Sequence, residues 1–152
     1  MEARVNLMEK GQNGLKSVFG LGAYLKKSSI ERSLLELVDF RISQINGCAY
    51  CLDMHSKDAR AGGETEQRLY MLSAWREIPS LYTARERAAL TWAEGVNSHH
   101  VPQQLFDEVK KQLSDEELID LTLAVGALGI WNKLNLAFYP MKPGSYVVGQ
   151  FD

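Results

Sequence analysis

The sequence predicts an all-α fold in one domain, residues 1–152, built as a bundle of six to seven helices. Three observations predict it. Helix-start signals recur along the chain, apolar residues repeat at three- and four-residue spacing between them, and the alternation that marks strands hardly appears. A chain of 152 residues buries roughly two-thirds of its unfolded surface, enough for a core without staples. Its 45% hydrophobic and 24% charged content is that of an ordinary globular domain.

Taken in order, residues 4–16 read as a weak amphipathic helix, and residues 18–24 are a glycine-broken apolar stretch to which no structure is assigned. Ser28-Ser29-Ile30-Glu31 reads as a capping box opening a second helix that ends at Asn46-Gly47. Cys48 then opens the next helix, which Gly62-Gly63 ends. A further helix is expected over residues 64–77. Thr83-Ala84-Arg85-Glu86 caps a segment running to about Asn97, and Pro102 leads a helix over residues 103–112. Ser114-Asp115-Glu116-Glu117 caps the last and most apolar helix, which runs to Phe138-Tyr139-Pro140. The last dozen residues read as an irregular tail able to pack on a neighbouring subunit.

Composition narrows the function. A net charge of −2, with 17 basic residues spread along the chain, gives no basic footprint for nucleic acid or anionic lipid. The start of the chain lacks a signal-peptide layout, and the longest apolar run, residues 121–131, suits a buried core helix better than a membrane span. The expected location is cytoplasmic. In that reducing compartment, two cysteines at Cys-x-x-Cys spacing point to redox activity or metal binding.

Those two cysteines, Cys48 and Cys51, lie within eight residues of each other and of His55. On a helix the three form one stripe, with the two cysteine Cα atoms roughly 5 Å apart, within disulfide range. A helix start favours a thiolate at Cys48, and His55, one turn beyond Cys51, is placed to take a thiol proton. Cys51 is therefore favoured as the thiol that His55 activates. Glu36 stands in an apolar run, an awkward place for a carboxylate without a buried partner, and is the candidate to orient His55. Zinc would need a fourth ligand, and His99-His100, in a turn-like segment before Pro102, read as surface residues. No cofactor or metal is expected. Trp75, Trp92 and Trp131 read as core or interface residues, and Asp107 to Lys111 as a solvated face.

Glu36, Cys48-x-x-Cys51 and His55, set in the stretch from Arg41, resemble the core signature of the alkylhydroperoxidase D-like proteins of the carboxymuconolactone decarboxylase superfamily. The similarity runs over roughly residues 30–140, through Gly62-Gly63, Trp75, residues 83–90 and residues 131–135. It implies an all-helical, trimeric or hexameric protein that reduces a peroxide. Glu36 and His55 would relay a proton, and Cys48 and Cys51 would cycle through an intramolecular disulfide. A lipoyl-type dithiol or thioredoxin-like reductant would restore them. Where the founding peroxidase has a histidine between the cysteines this chain has Tyr50, a hydrogen-bond donor but a poor base near neutral pH. Two alternatives stay open: a non-catalytic redox-sensing subunit, and a carboxymuconolactone decarboxylase-like enzyme.

Overall fold

A computed structural model describes residues 2–151. Met1, where the stretch expected to lack a signal-peptide layout begins, and Asp152, the end of the expected domain, lie outside the described residues. The described chain is all-α, with α1 (Leu7–Lys10), α2 (Gln12–Leu25), α3 (Arg32–Asn46), α4 (Ala49–Ala61), α5 (Glu66–Met71), α6 (Ala84–Asn97), α7 (Gln103–Val109) and α8 (Asp115–Phe138). Two 3₁₀ segments, Leu72–Glu77 and Pro79–Leu81, join α5 to α6.

α8 is apolar around most of its circumference, and such a helix is stable only when surrounded. It runs against α2, α3 and α6, while α3 also packs on α4 and α6. Leu37, Val38, Ile42, Leu72, Leu90 and Leu121 fill the shared interior with almost no exposure. Each stabilises the fold by about 1.5–3 kcal/mol on burial. At 24 residues, α8 is long and apolar enough to cross a membrane by length and composition, more than the eleven-residue run suggested. One face of it packs into the bundle, and Ile119, Leu123 and Ile130 are exposed on the other.

The capping boxes at Thr83 and Ser114 form as expected, each with a reciprocal bond to the glutamate three residues on. The one expected at residues 28–31 does not. α3 starts at Arg32 with Glu31 as its N-cap and no side-chain cap bond. Arg85 instead holds the Glu31 carboxylate at 2.8 Å and Glu117 at 2.6 Å, and this charge-assisted pairing outweighs a single cap bond.

Other boundaries also move. Residues 18–24, left unassigned, belong to α2, because Leu15 and Leu25 gain more from burial than Gly14, Gly20 and Gly22 lose in helix propensity. The helix expected over residues 64–77 tightens into 3₁₀ geometry after Met71, with a kink at Ala74. α7 stops at Val109, three residues early, and Pro102 is its N-cap rather than its first helical residue. The C-terminal tail is irregular but packs on its own α4. Tyr146 donates to Asp58 at 2.8 Å, Lys57 donates to the Tyr146 carbonyl, and the Gly144 amide bonds Asp53. Trp75 and Trp92 are buried, Trp131 leans on Phe19, and His99 and His100 are exposed.

Candidate active site

The site is made where α3 turns into α4. Gly47 ends α3 in the left-handed region at φ 69°, where an L side chain would be strained, and its amide bonds the Ser43 carbonyl. This sharp stop puts Cys48 in extended geometry as the N-cap of α4, its Sγ accepting from the Cys51 amide at 3.4 Å. Cys51 follows in the first turn, with its Cα 5.3 Å from that of Cys48, and the two are joined as a disulfide. His55 comes one turn later on the same face. Both cysteines are 1% exposed.

Glu36, Asp39 and Ser43 recur at helical spacing on α3. Glu36 Oε2 lies 2.9 Å from His55 Nδ1, so Nδ1 carries the proton of the neutral ring and Nε2 is the free base. Burial works against an imidazolium at His55, but the hydrogen bond it donates to Glu36 and the charges of Asp39, Glu36 and Asp58 outweigh it. Its pKa is raised above the ordinary 6.5. Asp39 Oδ1 is buried with no hydrogen-bond partner. Burial, helped by the Glu36 charge and opposed by His55, pushes Asp39 up to about 7. Asp39 and His55 can thus each hold a proton near neutral pH.

α8 supplies the far wall. Asn132, 1% exposed, donates through Nδ2 to Cys51 Sγ at 3.1 Å, and Asn135 reaches the same sulfur at 3.8 Å. The Asn132 oxygen accepts from Asn46 at 2.8 Å, and Asn46 is paired in turn with Asn97. Tyr50 is buried with an unpartnered hydroxyl, edge-on to Tyr146 of the tail at 6.4 Å between centroids. Burial, then the charges of Asp53 and Asp58, raise its pKa, so the phenol keeps its proton at neutral pH.

The structure therefore brings together Glu36, Cys48, Cys51 and His55, with Tyr50 alongside. Sequence reasoning missed Asp39, Asn132 and the Asn46–Asn97 pair, and assigned Asn135 no role. A signal existed for some of them. Asp39 stands in the same apolar run that singled out Glu36, and Asn132 and Asn135, three apart in the most apolar helix, are polar groups that burial must satisfy. Among the described residues no three His, Cys, Asp or Glu side chains are grouped to hold a metal ion.

Residues 15–95 match the carboxymuconolactone decarboxylase family. An uncharacterized Bacillus subtilis protein, YdfG, is 41% identical over 140 residues, spanning 90% of this chain and 95% of its own. The crystal structure of a protein of unknown function from Agrobacterium tumefaciens, suggested to be the antioxidant defence protein AhpD, superposes with a TM-score of 0.86 at 36% identity, over 93% of this chain and 99% of that one. The debrominase Bmp8 shares the fold alone, with a TM-score of 0.77 at 22% identity, over 90% of this chain and 75% of that one.

Proposed function

The chain belongs to the carboxymuconolactone decarboxylase family and has the AhpD-like fold, and from that premise we propose that it is a thiol-dependent hydroperoxide reductase. The observation that carries the reading is the buried Glu36–His55 pair set one turn beyond Cys51 of a Cys-x-x-Cys dithiol. A fold can host unrelated reactions, so the reading rests on these side chains and not on the architecture.

In the reduced protein His55 Nε2 takes the proton of Cys51, whose thiolate attacks the terminal peroxide oxygen. The S–O bond forms, the O–O bond breaks, and the departing alkoxide takes the proton from His55 to leave as an alcohol. Cys51 is now a sulfenic acid. The Cys48 sulfur attacks it, hydroxide leaves and is protonated to water, and the Cys48–Cys51 disulfide closes. The dithiol has supplied two electrons. A free thiol ionises near ~8.5, so the helix start at Cys48 and the base beside Cys51 raise the thiolate fraction at neutral pH by roughly tenfold.

A lipoyl-type dithiol or a thioredoxin-like donor returns the two electrons by disulfide exchange. The cytoplasm is the compartment that suits this cycle. Ile119, Leu123 and Ile130 make an exposed apolar stripe on α8, and a trimeric or hexameric assembly of this chain would cover it. Anaerobic stopped-flow mixing with hydrogen peroxide and organic hydroperoxides tests the reading. Peroxide consumption should slow by about 10³-fold or more in Cys51→Ser, which cannot close the disulfide, and disulfide formation by about 10²-fold in His55→Ala. Unchanged oxidation in both would overturn it, and a single oxidation without turnover on added dithiol would favour a redox sensor.

A further inference from the structure

Cys51 lies between two kinds of group. His55 is one turn away on its own helix, and Asn132 of α8 donates to its sulfur from across the bundle. That donation is the end of a chain of side-chain amides. Asn46 Nδ2 donates to Asn97 Oδ1 at 3.2 Å and to Asn132 Oδ1 at 2.8 Å, and Asn97 returns a bond to Asn46 Oδ1 at 3.1 Å. In this arrangement the Asn132 oxygen accepts from Asn46 and its N–H is turned to the sulfur. Asn135 adds a longer contact but spends its amide on the Trp131 carbonyl at 3.0 Å.

Resting on the reading of Cys51 as a redox thiol, we infer that Asn132 is a thiolate-binding donor that keeps Cys51 charged in the reduced protein, and that Asn46 and Asn97 are the positioning residues that aim it. An N–H bond to a thiolate is charge-assisted, and a group bonded in its charged form gives up its proton more readily. Successive amides polarise one another, and a buried site weakens that polarisation less than water does. When the Cys51 S–H bond breaks, the proton goes to His55 Nε2 and the charge stays on sulfur facing Asn132. The three asparagines come from the C-terminal ends of α3 and α6 and from the middle of α8, so the arrangement ties the thiol to the three helices of the core.

The test titrates the reduced Cys48→Ser protein, in which Cys51 is the one remaining thiol, by the ultraviolet absorbance of its thiolate. Asn132→Asp replaces the donor with an acceptor and should cut the thiolate fraction at neutral pH roughly tenfold. Asn46→Asp never touches the sulfur, yet its carboxylate attracts the Asn132 N–H, turns that amide round and presents oxygen to Cys51. A several-fold fall is expected there, and a smaller one in Asn46→Ala. A merely structural role would lower the melting temperature of all three and leave the titration midpoint unmoved. Unmoved midpoints in folded Asn132→Asp and Asn46→Asp proteins overturn the inference. Should neither fold, the side-chain amide protons of Asn132, followed by NMR with all asparagines intact, must shift with the Cys51 midpoint. Signals that ignore it overturn the inference equally. Because no peroxide is used, a moved midpoint in a protein that reduces no hydroperoxide sinks the peroxidase reading and leaves this one standing, whereas rapid peroxide reduction with an unmoved midpoint does the reverse.

Discussion

α3 carries two partly buried charge clusters barely a turn apart, and they are built to opposite ends. On one side Arg41 donates to Glu94 at 2.6 Å, and the same carboxylate also accepts from Trp75 Nε1 at 2.9 Å and from Arg76. Burial works against the Glu94 charge, but the bonds from Trp75, Arg41 and Arg76 outweigh it and hold the carboxyl below its usual range. On the other side Glu36 takes the Nδ1 bond of the one histidine, Asp39 meets that histidine only through its charge, and an oxygen of Asp39 has no partner. The first cluster has more donors than it needs and keeps one protonation state. The second is short of donors and is left to trade a proton.

The largest effect should come from breaking the saturated cluster. Glu94→Leu strands Arg41 without its carboxylate and should cost about 3–5 kcal/mol in urea unfolding, with peroxide oxidation per folded molecule nearly unchanged. Glu36→Gln should invert that pattern. It keeps the shape beside His55 and loses about 10²-fold in the oxidation rate, with unfolding altered by less than about 1 kcal/mol. Equal losses of stability in the two variants would dissolve the contrast.

Next in size is Asp39→Asn. The folded pKa of Asp39 is raised from 3.8 to about 7, so the folded state holds the proton more tightly and stability falls as pH rises between those values. His55, also raised, contributes stability that is full below its unfolded value of 6.5 and is lost as pH climbs through its folded value. Both slopes run downward with pH. Urea unfolding at pH 5 and pH 8 should show a decline that Asp39→Asn flattens, with a gain on the order of 2 kcal/mol at the higher pH. Because the proposed cycle uses the base form of His55, the acidic limb of the oxidation rate should lie above pH 6.5. The smallest effect is expected from Tyr146→Phe, which removes the tail's bond to Asp58 and should cost about 1 kcal/mol with little change in rate.

What was legible in the sequence was local. Cys48, Cys51 and His55 are held together by helical spacing alone, and Gly47 announced the turn that starts their helix. Glu36 could be picked out only because a carboxylate in an apolar run needs a partner. The asparagine chain could not be read, since its members stand 51 and 86 residues apart and meet only when α3, α6 and α8 pack. The same distance explains the missing cap at residues 28–31, where Arg85, 54 residues on, took the glutamate. α2 was hidden by its glycines, whose cost of about 1 kcal/mol each is overridden by packing on α8. The tail was read as irregular and able to pack on a neighbouring subunit, and its docking on its own α4 was not read, because nothing local couples Tyr146 to Asp58.

In the proposed peroxide-reducing cycle, the burial of the two sulfurs bears on the half that would consume an electron donor. Disulfide exchange needs the incoming sulfur in line with the bond it breaks, and at 1% exposure neither Cys48 nor Cys51 can be approached that way by a protein surface. Under that proposal a small peroxide and a bulky donor would face different gates, and the donor would wait for α4 to open locally from its neighbours. As donor concentration rises, the reduction rate should level off at the frequency of that opening, making the breathing of one short helix the clock of the whole cycle.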